Sequence, residues 1–453
     1  MLSVPFDLRH LQHFVKQCDP LQPLDPGDPR YIDLDDGEPV RGSDGASCID
    51  EIERTIVFSD PMSPVCQLFT GFPGSGKTTE LRRLQNRLQQ NKLVSMHVVM
   101  IDFQEYRTDP TPLSIIETLR VLAYELDRAA TQAEGDDPEA KPGYVKRFYE
   151  FLKTTNIDLK GLGFAQFGGT LMIEAKGNPT FREKIEQALA PRFQLFAREA
   201  QEVMAEAVVR LRKATHAQQI VVIVDALEKV VPLREEDRSL LEASAETVFV
   251  EHASWLRLPC HVVYTFPLWL RFRTTQLDGL YDRPAQILPM VKISDRDGNR
   301  HAPGYEKLVD LVSKRLEVNQ KPQLDRIFGT DLEQTLHPLI AASGGYTRDL
   351  LRMVREVLWG AREFPVNKKT IERIIERTAE GYIAAVRDAD ADVLVEIART
   401  HDLPRGDHAR LATFGRLLQG YLVLAYRNGK PWYDLHPLVR SAPVVTEALA
   451  GKT

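Results

Sequence analysis

The sequence contains little cysteine. Its 453 residues include only four, Cys18, Cys48, Cys66 and Cys260, and no two of them have the Cys-x-x-Cys spacing typical of zinc sites. This scatter argues against both a zinc centre and a disulfide framework. It favours a protein of the reducing cytoplasm.

Long apolar runs are also missing. No run approaches the roughly 18 residues that a transmembrane helix needs, so no membrane partner is expected. The first residues, MLSVPFDLRHLQHF, do not show the basic and apolar regions of a secretory signal peptide. Together with the cysteine pattern, these features predict a cytoplasmic location.

An excess of positive charge is absent as well. The formal net charge is −6, whereas a nonspecific grip on nucleic acid normally requires a basic face. There is no internal repeat and no low-complexity tract. The length suggests about three domains.

The clearest motif that is present is GFPGSGKT, residues 71–78, which satisfies GxxxxGK[ST] in full. Its glycines let successive backbone N–H groups turn inward around phosphate oxygens, and the helix after it adds its positive dipole end. We therefore expect Lys77 at the β- and γ-phosphates of ATP and the Thr78 hydroxyl on Mg²⁺. The residues assigned to the nucleotide here are Gly71, Pro73, Gly74, Ser75, Gly76, Lys77, Thr78 and Thr79.

Strand-like and helical patterns alternate around this motif. The predicted helices cover 78–91 and 112–129, and the predicted strands cover 65–70, 94–103, 220–226, 260–267 and 285–293. This βαβα alternation predicts an α/β fold with a mostly parallel sheet covered by helices. Between these strands, residues 159–178 alternate around glycines and predict a small hairpin, and 181–215 predict a long helix. Residues 305–364 read as helical throughout.

A P-loop needs a second acidic group for magnesium. Five apolar residues precede Asp225, which makes it the expected second magnesium ligand. Many ATPases place a catalytic acid directly after this aspartate, but here the position holds Ala226. Glu228 is the nearest alternative, and its carboxylate would polarise the attacking water. The other interpretation makes Glu228 a solvated residue at a helix start.

Two further residues would distinguish a working ATPase from a passive binder. Thr265 ends the strand HVVYT, where it would touch the γ-phosphate or the water; the alternative is a hydroxyl that caps the strand. Arg348 follows a Gly-Gly turn in SGGYTRDLLRMV, residues 343–354. On a helical lid it would contact the γ-phosphate and couple the lid to the nucleotide state. The alternative is a plain surface arginine.

Together these motifs resemble the AAA+ and STAND branch of P-loop ATPases, nearest to its origin-initiator-like (Orc/Cdc6) and NACHT-like relatives. The resemblance is carried by the P-loop, by Asp-Ala-Leu-Glu at 225–228 and by GGYTRDLL with Arg348. Residues 40–56 resemble the box that helps such proteins hold adenine, with Arg41 as its arginine, although the usual Glu after it is missing. The resemblance covers about 38–453, less an insertion at about 131–215.

The resemblance implies a P-loop NTPase core of the ASCE/AAA+ type with a helical lid and a C-terminal winged-helix-like domain. The implied division is an N-terminal lead-in and adenine-side segment at 1–60, the ATPase core at 61–295, the lid at 296–365 and the winged-helix-like domain at 366–453. In the last segment, Asn428-Gly429 is a strong hairpin signal. The hairpin aromatics Tyr426, Trp432 and Tyr433 suit a core and also a protein interface.

As to function, the resemblance implies an ATP-driven switch that is often oligomeric, with arginine fingers donated between subunits. Arg271, Arg273 and Arg283 are the finger candidates. Proteins of the STAND type often serve in antiphage defence or signalling. No nuclease, protease or TIR-like segment is evident, so an effector would be a separate protein. The leading hypothesis is a Mg²⁺-dependent ATPase with slow, regulatory hydrolysis that controls an effector or its own assembly.

Two other functions fit the sequence less well. A DNA-binding initiator or transposition regulator would read DNA with the winged helix, but residues 366–453 have a balanced charge and no basic run. A small-molecule kinase fits poorly, because it has no use for the lid and the C-terminal domain. His436 has no metal-ligand partners nearby in the sequence and is expected to be a packing residue.

Overall fold

The computed structural model describes residues 8–42, 46–60, 62–106, 112–138, 143–155, 179–229, 235–274 and 276–450. The hairpin predicted for 159–178 lies outside these ranges. The chain divides into two compact units. The first consists of Met1–Glu51, Gly71–Arg83 and Ile287–Thr453, and the second of Ile52–Thr70 and Leu84–Gln286.

A five-stranded sheet is the central feature of the chain. Its strands are β1 Cys66–Gly71, β2 Met96–Asp102, β3 Gln219–Asp225, β4 His261–Thr265 and β5 Gln286–Leu288. Their order is β2-β3-β4-β1-β5, and β2, β3, β4 and β1 pair in parallel. One strand, β4, separates the strand before the P-loop from the strand that ends at Asp225. This is the sheet of an α/β P-loop NTPase core, so the predicted class of the core is confirmed.

The strands form where the sequence is apolar and β-branched. Every residue of β3, QIVVIVD, is buried, as expected for a parallel strand covered by helices on both faces. The strand predicted for 285–293 is shorter than expected. It ends at Leu288, directly before Pro289, which has no backbone N–H to donate to a sheet.

Ten helices with described bounds lie between residues 8 and 280. They are α1 Leu8–Gln17, α2 Cys48–Val57, α3 Lys77–Gln89, α4 Ile115–Ala133, α5 Gly143–Thr154, α6 Pro179–Leu189, α7 Phe193–Thr215, α8 Arg238–Glu246, α9 Leu270–Arg273 and α10 Leu277–Leu280. The single helix predicted for 181–215 is wrong, because a 3₁₀ turn at Ala190–Arg192 separates α6 from α7. Pro191 in that turn cannot donate the backbone hydrogen bond that a continuous helix would need.

The second unit has its own hydrophobic core. Leu119 and Leu122 of α4 and Met204 and Val208 of α7 are fully or almost fully buried in one cluster with Val222 of β3. Burial of such side chains is the main favourable term in folding. The helices of the predicted insertion therefore belong to the packing of this unit.

The first unit is mostly helical. Its remaining helices are α11 Ala302–Arg315, α12 Leu324–Phe328, α13 Leu336–Ser343, α14 Thr347–Gly360, α15 Lys368–Ala385, α16 Ala391–Thr400, α17 His408–Gln419 and α18 Pro443–Leu449. The expectation of helix throughout 305–364 is wrong. A short antiparallel pair, β6 Glu317–Val318 and β7 Lys321–Pro322, interrupts it, and Asn319 and Gln320 form its turn with φ of 51° and 62°.

The C-terminal part of this unit contains the predicted hairpin. Strands β8 Val423–Asn428 and β9 Lys430–Leu435 pair antiparallel around Gly429, whose φ is 70°. Tyr426, Trp432 and Tyr433 are all buried, which confirms the core interpretation of these rings and removes them from any exposed interface. The helices and hairpin occur in the order that a winged helix has; that assignment stays a prediction.

None of the helices that the structure describes combines the length and apolar character needed to cross a membrane.

Candidate functional site

The P-loop follows β1 and belongs to the first compact unit. Gly74 and Gly76 have φ of 81° and 96°, a conformation that glycine adopts without steric cost. At Gly74 a Cβ would also lie 2.0 Å from Nε of Arg348. Glycine is therefore required at this position both by the turn and by the close approach of an arginine.

Lys77 is the first residue of α3 and is 5% exposed. Its Nζ donates hydrogen bonds to the carbonyl oxygens of Gly71 and Phe72, both at 3.1 Å. The Ser75 hydroxyl donates to the Phe72 carbonyl as well, at 2.8 Å. These bonds hold the lysine charge against the loop, where the sequence predicts the phosphates.

The start of α14 lies directly on the P-loop. The Tyr346 hydroxyl donates to the Pro73 carbonyl at 2.5 Å, and the Thr347 hydroxyl donates to the Gly74 carbonyl at 3.4 Å. Arg348 comes next, and its Nε is buried without a hydrogen-bond partner. A buried donor without an acceptor is costly, so this arginine is arranged to receive an acceptor that the protein itself does not supply.

Arg41 forms a buried ion-pair cluster rather than a surface contact. It is 3% exposed, and its Nη2 lies 3.0 Å from Asp35 Oδ2 and 2.7 Å from Glu80 Oε1. Burial alone would lower the pKa of Arg41, but the two carboxylates outweigh it and raise that pKa. The cluster ties the segment before α2 to α3, and Nε of Arg41 is left without a partner.

A cleft within the first unit brings several predicted residues together. It has about 600 Å³ of empty space, part of it open to solvent. Its walls come from residues 19–34, the P-loop, α3, α11 and α14. The predicted site residues among its lining are Arg41, Gly74, Ser75, Gly76, Thr79 and Arg348.

The predicted acidic group lies in the second unit. Asp225 is the last residue of β3 and is almost fully buried, and its Oδ1 accepts a hydrogen bond from the Ala226 N–H at 2.7 Å. Ala226 has a φ of 71°, in the left-handed region that costs an alanine roughly 1–2 kcal/mol. The chain turns sharply here, and Glu228, which is half-buried, belongs to this turn.

Thr265 stabilises the same turn. Its Oγ1 accepts a hydrogen bond from the Leu227 N–H at 3.1 Å, and the residue is fully buried at the end of β4. This hydrogen bond matches the alternative in which the Thr265 hydroxyl caps the end of the strand. A role toward the γ-phosphate stays a prediction.

One acidic residue at this edge of the sheet was missed by the sequence reading. Asp102 is the last residue of β2 and stands in register with Asp225 on the neighbouring strand. Because parallel strands end at the same edge, the two carboxylates lie at that edge together. The signal was available: Asp102 ends an apolar run, VVMID, just as Asp225 ends IVVIVD.

The three finger candidates differ in their surroundings within the second unit. Arg271 forms an ion pair with Asp278, and Arg273 with Glu242 and Glu246. Arg283 is exposed and forms neither a hydrogen bond nor an ion pair with the part of the chain that the structure describes. Of the three candidates, Arg283 is the one that has no ion-pair partner among the described residues.

Metal ligands are few. Among the described residues there is no group of three or more His, Cys, Asp or Glu side chains that could hold a metal ion. Mg²⁺ in phosphate-binding proteins takes only one or two protein oxygens together with phosphate oxygens and water. The predicted magnesium ligands Thr78 and Asp225 belong to different compact units, and their role stays a prediction.

His436 is fully buried, and its ring stacks on Tyr382 with centroids 4.1 Å apart. Its Nε2 lies 3.4 Å from Asp349 Oδ2. The packing interpretation of His436 is therefore confirmed.

Comparisons with known proteins give the following picture. No family model matches the chain, and no curated protein matches it. Several solved structures do match the chain. The Walker-type ATPase PABY2304 of Pyrococcus abyssi is 15% identical, with a TM-score of 0.39, and the match covers 91% of this chain and 100% of that one.

Two further solved structures are similar. A chain of Drosophila ORC bound to DNA is 14% identical over 99% of this chain and 94% of that one, with a TM-score of 0.36. Cdc6p of Pyrobaculum aerophilum is 11% identical over 89% and 93%, with a TM-score of 0.34. Orc and Cdc6 are also the proteins that the motifs of this sequence resemble. Because the overlaps are loose, the fold assignment rests on the strand order and the P-loop.

Proposed function

We propose that the protein is a nucleotide-dependent switch that binds ATP with Mg²⁺ and hydrolyses it slowly. The observation that carries this proposal is the contact between Arg348 and Gly74. In this contact Arg348 lies against the P-loop, and its Nε is buried without a hydrogen-bond partner. A phosphate oxygen is the acceptor that such a guanidinium binds best.

The residues of the first unit fit a triphosphate. Two glycines with positive φ shape the loop, and Lys77 brings a buried ammonium to it. The Thr78 hydroxyl would bind Mg²⁺, which would neutralise charge on the β- and γ-phosphates. Lys77 would then exchange its carbonyl partners for phosphate oxygens, which are stronger acceptors because they are charged.

The switch would work through α14. Tyr346, Thr347 and Arg348 all contact the P-loop from the start of this helix. Arg348 gains an anionic partner only when the nucleotide carries the γ-phosphate. ATP therefore stabilises the contact between α14 and the P-loop more than ADP does, which is the differential binding that a ligand-driven switch requires.

Hydrolysis would use the turn after β3 and a neighbouring subunit. Glu228 would orient the attacking water, and Arg283 would act as the finger in a homo-oligomer. Both roles come from the resemblance. The support for Arg283 over Arg271 and Arg273 is its exposure and its freedom from ion pairs among the described residues.

The output would be control of a separately encoded effector or of the protein's own assembly, in antiphage defence or signalling as the resemblance implies. Helix α17 does not favour DNA as the partner. Both arginines of α17 are paired within the protein, Arg410 with Glu396 at 2.5 Å and Arg416 with Asp390. Filter binding at increasing salt separates these readings, because a DNA-binding role requires a steep salt dependence.

The direct test compares ATP and ADP binding by calorimetry. Arg348→Ala should lower ATP affinity about 10- to 100-fold, as expected for loss of a hydrogen bond to a charged group, and leave ADP affinity within about 2-fold. Lys77→Ala should weaken both nucleotides. Arg352→Ala is the matched control, because Arg352 lies one turn further on the same helix and is 54% exposed.

An equal loss of ATP and ADP affinity in Arg348→Ala would contradict the switch, since it would make the arginine a structural support of the loop. Unchanged binding in a folded Lys77→Ala protein would show that the phosphate site itself is assigned wrongly.

A further inference from the structure

A second arginine in the cleft, Arg315, has no counter-charge of its own. It is the last residue of α11, lines the cleft and is 8% exposed. Its Nη1 donates to two carbonyl oxygens, of Leu311 at 2.8 Å and of Arg30 at 3.3 Å. No carboxylate of the described chain lies within ion-pair distance of it. Burying a cation that is bound only by neutral carbonyl groups costs free energy, unless a ligand supplies a further acceptor.

The ionisable neighbours of Arg315 do not neutralise it. Burial raises the pKa of the Cys18 thiol to about 12, so Cys18 stays uncharged at neutral pH. Asp28 is engaged by Arg30, through bonds of 2.9 Å and 2.7 Å. Burial lowers the pKa of Arg315 to about 10, which still leaves the guanidinium protonated.

The cleft extends from the P-loop along helix α14. Arg348 touches Gly74, and Leu351, one turn later, lines the same cleft. Arg315 lines it as well, and its hydrogen bonds run to Leu311 and Arg30 rather than to the loop. One cleft thus holds the phosphate loop and a separate buried cation.

The rest of the cleft lining has the character of a base-binding pocket. Pro20, Leu311 and Leu351 give it apolar walls. Two more polar atoms of the lining are buried without partners, the Tyr31 hydroxyl and Nε of Arg41. Apolar walls with unused donors fit a flat ring that carries acceptor atoms on its edge, which describes a purine.

We propose that Arg315 binds the base of the nucleotide by donating from its guanidinium to an acceptor atom on the edge of a purine ring. This inference rests on the proposed function, which places the triphosphate at the P-loop. A ring nitrogen of adenine and the carbonyl oxygen of guanine offer the same acceptor chemistry, so the two purines are separate arms of the test.

The experiment measures binding of ATP, GTP and inorganic tripolyphosphate, each with Mg²⁺, to the full chain. Arg315→Met should lower the affinity for the preferred purine nucleotide about 10- to 100-fold and leave tripolyphosphate affinity within about 2-fold. Arg348→Met should weaken the triphosphates and tripolyphosphate alike. Whether ATP or GTP shows the larger loss identifies the purine.

A thermal melt without ligand separates a binding role from a structural one. Removing a buried charge that has no counter-charge should leave the melting temperature unchanged or raise it. The stabilisation by the purine nucleotide should shrink. Arg355→Met is the matched control, because Arg355 is near the same Cys18 but does not line the cleft; its nucleotide affinity should be unchanged. Arg315→Lys, which keeps the charge and loses the planar fork, should bind the nucleotide with intermediate affinity.

Unchanged purine affinity in Arg315→Met, or an equal loss in Arg355→Met, would overturn the inference and leave the proposed function intact. The inference would also be overturned, with the proposed function intact, if the wild-type protein bound ATP and GTP no more tightly than tripolyphosphate. If it binds neither tripolyphosphate nor any nucleotide, the proposed function fails as well, and the two failures are thus distinguishable.

Discussion

The ring of Tyr346 stacks on the ring of Tyr421, with centroids 5.3 Å apart and planes 18° from parallel. The Tyr346 hydroxyl donates to the Pro73 carbonyl in the P-loop. Tyr421 has a φ of 61° and comes two residues before β8. One side chain therefore contacts both the phosphate loop and the base of the C-terminal hairpin, which gives the first unit a direct physical connection between them.

Tyr346→Phe tests the first half of this connection. The variant keeps the stacked ring and loses the hydrogen bond to Pro73. Loss of one neutral hydrogen bond costs about 0.5–1.5 kcal/mol, so ATP affinity measured by calorimetry should fall about 2- to 10-fold. The melting temperature should change little. Unchanged affinity would show that this bond does not hold the loop in its binding conformation.

Tyr421→Leu tests the second half. It removes the aromatic stack and leaves the bond to Pro73 in place, so ATP affinity should stay within about 3-fold of wild type. The nucleotide-dependent change in assembly, measured by size-exclusion chromatography with a nonhydrolysable ATP analogue, should weaken. Point variants suit this question better than deletion of the C-terminal hairpin, because the hairpin is bonded to the rest of the first unit. The Met290 N–H donates to the Ala425 carbonyl, and the Tyr426 hydroxyl donates to the Gly344 carbonyl.

Hydrolysis provides the next prediction. Glu228→Gln should bind ATP normally and hydrolyse it about 10²- to 10⁴-fold more slowly, as is typical for loss of a general base. Turnover is measured by phosphate release at saturating ATP. Asp102→Asn is the comparison, since Asp102 ends the strand beside Asp225. A large loss in Asp102→Asn with normal turnover in Glu228→Gln would move the catalytic role to the neighbouring strand.

The sequence predicted the parts of the protein that local patterns determine. The P-loop has a fixed spacing, and strands such as β3 are continuous apolar runs, so both could be placed within one or two residues. The Asn-Gly hairpin followed from turn chemistry. Where one residue interrupts a periodic pattern, as Pro191 does between α6 and α7, the boundary was missed.

The cleft could not be predicted, because its walls meet through contacts between distant residues. The Leu24 N–H donates to the Thr79 hydroxyl across 55 positions, and Arg41 pairs with Glu80 across 39. Residues 19–34 read as an irregular lead-in, and nothing in their own sequence indicates that they face α3. Arg315 resembles any other arginine at a helix end until its burial is known.

The variant Arg283→Ala tests whether this arginine reaches the ATP site of a neighbouring subunit. If it is donated in trans, Arg283→Ala should hydrolyse ATP about 10³-fold more slowly, at the low end for arginine fingers, with ATP affinity unchanged. Mixing this variant with Lys77→Ala should restore part of the activity, because mixed assemblies contain an intact site. Arg271→Ala, which loses an internal ion pair, should hydrolyse ATP at close to the wild-type rate. Absence of recovery in mixtures that demonstrably co-assemble would rule out a finger at Arg283.

The last prediction concerns pH and the second unit. His261 begins β4 and is almost fully buried, and its Nδ1 accepts a hydrogen bond from the Val65 N–H at 3.1 Å. Burial, helped by the charge of Arg212, lowers the pKa of His261 to about 4 from its ordinary value of 6.5. Protonation of Nδ1 would remove this acceptor and leave a charge in the core. The unfolded chain therefore binds the proton first as pH falls.

It follows that the stabilising contribution of neutral His261 is complete above about pH 6.5 and is lost as pH falls toward 4. The free energy of unfolding should drop by up to about 2–3 kcal/mol over this window, at most about 1.4 kcal/mol per pH unit. His261→Asn keeps an acceptor near the Nδ1 position but does not titrate. Urea unfolding at several pH values measures the free energy of unfolding of both proteins. As the pH falls, this free energy should decrease more for the wild type than for His261→Asn. A constant difference from pH 7 to 4 would mean that His261 titrates alike in the folded and unfolded states.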